Sequence, residues 1–151
     1  MTIEELLEIE EIKNLRHLYA LYLDSGEIRK MVDLFLPDGV AEWPEHMGGY
    51  WSGHDQMFEN WTRVYKDADL PFAHLHIATN PFIRITGPET ANGRYYAMSL
   101  HTTEKEIGDC ISVIGVHDDV YRKVDGKWFF EKTRYDFLWP VRRYQGFRTP
   151  I

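Results

Sequence analysis

The stretch CISVIGVHDDVYRKVDGKWFFEKTRYDF, residues 110–137, decides the fold. β-Branched and aromatic residues fill it on both sides of Asp125-Gly126, a dipeptide that accepts the positive φ angles of a two-residue hairpin turn. It therefore reads as two antiparallel strands, residues 110–124 and 128–137. Toward the N-terminus, residues 74–85 and 92–103 share that texture and are separated by Gly87-Pro88, a turn signal. Four such strands in succession make a meander.

The chain ahead of the meander has helical periodicity. Thr2 followed by Glu5 is a capping-box pattern. Leu6, Ile9, Ile12, Leu15, Leu18, Tyr19 and Tyr22 then recur at helical spacing to Leu23, and Asp24-Ser25-Gly26 ends the helix. A second short helix is predicted over residues 28–36, and Pro37-Asp38-Gly39 reads as a turn. A strand at residues 40–43 and a Gly48-Gly49 loop lead to Tyr50-Trp51. Ser52 to Asp55 then cap a third helix, residues 56–66. Three helices followed by a mostly antiparallel sheet predict an α+β fold with the helices packed on one sheet face. The 151 residues, without repeat or linker, suit one domain spanning 1–151.

Composition narrows the function. The formal charge of −7 argues against nucleic acid or an anionic membrane as partner, since both bind through concentrated positive charge. The single cysteine, Cys110, precludes an internal disulfide framework and fits a reducing compartment. With no signal-peptide pattern and no run of about 18 apolar residues, a cytoplasmic location is expected. Nine Tyr, eight Phe and five Trp are many for a domain of this size. They serve either as core or as the wall of an apolar ligand cavity. A small hydrophobic molecule is the expected partner. The sheet face not covered by helices, with the aromatic tail from Trp139, suggests a homodimer or homotrimer; the tail would dock on a neighbour or close the pocket mouth.

Asp24 is the first candidate for chemistry. An aspartate there can simply terminate a helix, but its charge opposes the helix dipole and calls for a compensating partner. The histidines offer one. His74 and His76 alternate on one strand and share a face; His101 and His117 fall on the next two strands. Two chemistries fit. In a His–Asp pair the carboxylate fixes the imidazole tautomer and leaves the other ring nitrogen as a general base. In a metal site, His74 or His76, His101 and an acid would be ligands. No HExxH or cysteine-ligand motif, glycine-rich phosphate loop or GxSxG elbow is present.

Four short motifs recur in a familiar order: Tyr19-Ala20-Leu21-Tyr22-Leu23-Asp24 with Phe35-Leu36-Pro37-Asp38-Gly39; Trp51-Ser52-Gly53; His76-Ile77-Ala78-Thr79-Asn80-Pro81; and Tyr121-Arg122-Lys123-Val124-Asp125-Gly126-Lys127-Trp128. Over residues 12–136 this order resembles the nuclear-transport-factor-2-like superfamily, and within it the SnoaL-like group. The resemblance implies a cone-shaped, cystatin-like α+β barrel. It also implies kinship with scytalone dehydratase, bile-acid 7α-dehydratase and a hexachlorocyclohexane dehydrochlorinase, lyases that need no cofactor and use a histidine–aspartate pair.

On that resemblance, Asp24 and His76 are the catalytic pair, with no metal. His101 matches a second histidine and Tyr19 a tyrosine of the bile-acid enzyme. Trp43 stands where a water-activating tyrosine is expected, His117 lies near a substrate-binding asparagine, and Ser99 replaces an active-site aspartate. The implied reaction is β-elimination, a dehydration of a small cyclic hydroxy compound. His76 would act as base, His101 and Tyr19 would donate hydrogen bonds, and Trp43, Trp61 and Tyr95 would wall the pocket. Isomerases and cyclases of ketosteroid or polyketide type, ligand binders and dioxygenase β-subunits share the scaffold and form the alternatives.

Overall fold

The computed structural model describes residues 1–67, 73–102 and 110–139, and side chains for residues 1–64, 74–100 and 113–139. Helix α1 (Ile3–Asp24) opens with the capping box: Thr2 Oγ1 accepts from the Glu5 amide, and the Glu5 carboxylate accepts from the Thr2 amide. Its buried face carries Ile12, Leu15, Arg16, Tyr19 and Leu23, a helical stripe with one charge set into it. After α2 (Ile28–Val32) come β1 (Phe35–Glu42), a turn of 3-10 helix (Glu45–Met47), β2 (Tyr50–Ser52) and α3 (His54–Asp67). The meander follows as β3 (Ala73–Gly87), β4 (Thr90–Thr102), β5 (Cys110–Val124) and β6 (Lys127–Trp139).

All six strands form one curved sheet in the order β2-β1-β6-β5-β4-β3, antiparallel except for the parallel pair β1–β6. The sheet is open: β2 and β3 are its edges. At the β5–β6 turn Asp125 and Gly126 take φ of 48° and 79°, the conformation the dipeptide foretells. The helices cover the concave face, where Ile12, Tyr19, Leu23, Met31, Val32 and Phe35 meet Ala91, Tyr121, Trp128 and Phe130 in the core. Among the described residues, no helix is long and apolar enough to cross a membrane.

Two expectations are corrected. The second helix stops at Val32, and Pro37-Asp38-Gly39 is not a turn between elements but lies inside β1. There the register against β6 shifts between Phe35 and Val40. A bulge absorbs the turn-forming residues and lets the strand bend round the core. The parallel return of β1 beside β6 leaves no local sequence signature, since a pair so distant in the chain has no connecting turn to reveal it.

Candidate active site

Asp24 is the last residue of α1, and α1 packs across β3, the outermost strand of the meander. An edge strand has amides with no neighbouring strand to accept them. The Asp24 carboxylate takes one: the His76 amide donates to Asp24 Oδ2 at 2.9 Å. The ring of the same histidine closes the contact, with Nδ1 2.5 Å from Asp24 Oδ1. An ionised carboxylate only accepts, so Nδ1 carries the hydrogen and the unprotonated nitrogen of the neutral ring is Nε2. Two bonds from one residue to one carboxylate fix the ring, and His76 lies opposite the negative end of α1, where the aspartate needs compensation.

His74, two residues away on the same face, is placed differently. Its Nε2–H donates to the carbonyl of Leu23 at 3.1 Å and lies 3.9 Å from Asp24 Oδ1. Asp24, His74 and His76 bring donor atoms within 4.8 Å of one another, a potential metal cluster among the described residues. Two ligands with bonds of about 2 Å to one tetrahedral ion stand about 3 Å or more apart. The Asp24–His76 separation of 2.5 Å is therefore that of a hydrogen bond, and an ion would have to spread the pair.

His76 and His74 face a cavity of about 190 Å³, lined also by Tyr19, Leu23, Trp43, Met47, Trp61, Val64, Ser99, Val113, His117, Tyr135 and Phe137. Strand register explains the wall: His76 pairs with Ser99, and Ser99 with Val113, so all three project from one face. Trp43, Trp51 and Trp61 pack against one another with ring centres 5.4–5.6 Å apart. The Tyr135 ring lies over Gly115, leaving no room there for a Cβ. Tyr19 Oη and Trp43 Nε1 are buried and have no hydrogen-bond partner among the described residues. Each is a donor left for something in the cavity.

Burial sets the electrostatics. Desolvation lowers the His76 pKa, with hydrogen bonding and charge from Asp24 pulling the other way and His74 adding to the depression. Desolvation also pushes the His117 imidazolium well below its ordinary value, helped by the Arg16 cation. Both rings are neutral at neutral pH. Burial raises the phenols of Tyr19 and Tyr135, the latter to about 12, so both stay protonated as hydrogen-bond donors.

Of the residues singled out in the sequence, His76, Tyr19, Trp43, Trp61 and His117 line this cavity, and Asp24 stands behind His76, bonded to it. Tyr95 is a correction. It is fully buried, does not line the cavity, and sits with its ring 5.9 Å from the Arg16 guanidinium. His101 pairs with His74 through the backbone of β4, but its side chain lies outside the described residues, as does the tail from residue 140. Ser99, which the resemblance sets where a related enzyme has an active-site aspartate, lines the cavity; Val113, Tyr135 and Phe137 were not anticipated, and strand alternation from His117 would have placed them.

A family model described as a SnoaL-like domain matches residues 4–134. The chain belongs to the SnoaL-like family. Solved structures similar to this SnoaL-like chain include a Novosphingobium aromaticivorans protein provisionally named scytalone dehydratase, at 22% identity and TM-score 0.79, covering 91% of this chain and 89% of that one. LinA is 18% identical with TM-score 0.78 over 98% of both chains. A Catenulispora acidiphila protein in complex with S-DNPA is 18% identical with TM-score 0.71, covering 85% of this chain and 91% of that one. At these identities the likeness establishes the fold. No curated protein matches the sequence.

Proposed function

We propose that the chain is a cofactor-independent lyase that removes water from a small cyclic hydroxy compound by β-elimination. The observation that carries this reading is the hydrogen-bonded Asp24–His76 pair at the wall of an apolar cavity. His76 Nε2 takes the proton α to a carbonyl, and the C–H electrons form the new double bond by way of an enolate. The β-hydroxyl leaves and collects the proton held on Nε2, so water departs and the neutral imidazole is restored. Proton removal by His76 contributes about 10²–10⁴-fold as general-base catalysis, and Asp24 holds the productive tautomer and stabilises the transient imidazolium. Tyr19 Oη and Trp43 Nε1 donate to the enolate or the leaving oxygen. Trp61 and His117 hold the ring, and His101 is a further donor. A scytalone dehydratase namesake and LinA among the structural neighbours support a small-molecule enzyme on this scaffold.

β-Hydroxycyclohexanone is a minimal substrate, and its product cyclohexenone absorbs in the ultraviolet. Turnover by the wild type that disappears in His76→Ala, with an unchanged circular dichroism spectrum, supports the lyase. Equal rates in both retire it. The same base supports moving a proton without loss of water, and a product of unchanged mass would identify an isomerase instead. Exposed Leu75, Ile77, Phe82 and Tyr96 on the sheet support a homodimer or homotrimer, which light scattering tests.

A further inference from the structure

A buried polar chain runs from α1 to His117 and serves no step assigned above. Arg16 and Asp119 are almost fully buried and paired: Arg16 Nε–H donates to Asp119 Oδ2 at 3.1 Å and Nη2–H to Oδ1. Arg16 Nη2–H also donates to Thr133 Oγ1 at 2.8 Å. Tyr121 Oη–H donates to Asp119 Oδ2 at 2.6 Å, and Thr133 Oγ1–H to Asp119 Oδ1 at 2.6 Å. The order of donation is forced. A guanidinium has no lone pair to offer and a carboxylate has no hydrogen to give, so the one hydroxyl hydrogen of Thr133 goes to Asp119. Toward His117 Nδ1, 3.3 Å away, Thr133 Oγ1 can then only accept.

His117 Nδ1 therefore carries the ring hydrogen, and its neutral ring leaves Nε2 as a bare lone pair. Thr133 is the one hydrogen-bond partner of His117 among the described residues, and His117 lines the cavity. The rings of Tyr19, Trp43 and Tyr135 surround it at 6.2, 6.2 and 4.9 Å. We infer that Arg16, Asp119 and Thr133 are positioning residues that fix His117 as a hydrogen-bond acceptor, and that the bound molecule presents a hydroxyl to it. A carbonyl there would set lone pair against lone pair. The carbonyl end of a ligand instead suits Tyr19 Oη and Trp43 Nε1, which are donors. The cavity thus has a polarity: hydroxyl to His117, carbonyl to Tyr19 and Trp43. This assignment rests on the cavity being the ligand site proposed above, but not on His76 acting as a base.

The test uses p-cresol and p-xylene, rings of one shape in which a hydroxyl replaces a methyl. NMR titration gives the ratio of their dissociation constants for wild type and for His117→Phe. Loss of the acceptor should shift that ratio against p-cresol by about five- to tenfold, the size of one neutral hydrogen bond. Imidazole nitrogen spectra of the wild type should show His117 with Nδ1 protonated and Nε2 bare. Thr133→Val should mix the tautomers and weaken the preference for p-cresol, and Thr133→Ser should restore both. Neither the His117 tautomer nor the p-cresol to p-xylene ratio depends on turnover, so failure of the lyase reading and failure of this one are separable. A protonated Nε2 in the wild type, an unchanged ratio in His117→Phe, or no binding of p-cresol to the wild type would each overturn the assignment.

Discussion

Replacing Asp24 with asparagine keeps the shape of the side chain and removes what the mechanism asks of it. The carboxylate accepts from both the His76 amide and the His76 ring. Asparagine has one accepting oxygen. If that oxygen keeps the amide, the NH2 group faces Nδ1, which must then accept, and the hydrogen moves to Nε2. The nitrogen at the cavity is no longer a base. Forcing the productive tautomer forfeits a charge-assisted hydrogen bond worth about 1.5–3 kcal/mol. The imidazolium formed during proton removal also loses its counter-charge. Two unit charges about 4 Å apart at an effective dielectric of about 20 attract by about 4 kcal/mol, and the partial exposure of both groups halves that to about 2 kcal/mol. The sum, about 3.5–5 kcal/mol, corresponds to about 10³-fold in kcat/KM.

Stability should barely move, because relief of the charge at the helix C-terminus offsets a weakened hydrogen bond. The melting temperature should stay within about 2–4 °C. The assay is dehydration of β-hydroxycyclohexanone alongside a thermal melt. A variant within about threefold of wild type, with the melting temperature retained, would refute the reasoning.

Other consequences follow from the same geometry. His76 and His117 have depressed pKa values, so below about pH 6.5 the unfolded chain binds protons that the folded chain refuses. Stability is full above about pH 6.5 and falls as pH drops through the folded-state values. Urea melts at pH 7.5 and about pH 5 should show this, and His117→Phe should flatten the difference. For the same reason the acid limb of kcat/KM should lie below the ordinary histidine value, and a limb above it would count against His76 as the base. Asp119→Ala strands the buried Arg16 cation and should cost about 3–5 kcal/mol, read from the urea midpoint. Gly115→Ala places a Cβ where the Tyr135 ring lies and should drive that ring toward the cavity, weakening p-cresol binding more than it lowers the melting temperature.

Much of this was legible because it is local. The capping box at Thr2, the stripe along α1 and the Asp125-Gly126 hairpin each signal through neighbours in the chain, and the structure has them in place. The shared face of His74 and His76 follows from strand alternation alone. The meeting of Asp24 with His76 was anticipated from the resemblance and from the electrostatic oddity of a carboxylate at a helix C-terminus; spacing could not supply it. Pro37-Asp38-Gly39 misled because turn chemistry and bulge chemistry use the same residues. Tyr95 was misplaced because an aromatic on an inward face looks the same whether it meets a cavity or a buried guanidinium. The Arg16–Asp119–Thr133 chain did leave a trace. Arg16 interrupts the apolar stripe between Ile12 and Tyr19, and a charge on a core face needs a buried partner.

The mechanism depends on His76 being unprotonated at Nε2 because Asp24 holds the ring hydrogen on Nδ1. Imidazole nitrogen NMR of the ligand-free protein at neutral pH measures this without any choice of substrate. The account predicts Nδ1 protonated and Nε2 unprotonated for His76 in the wild type, with the order reversed in Asp24→Asn. A wild-type His76 that carries its hydrogen on Nε2, or that exchanges evenly between tautomers, would contradict it.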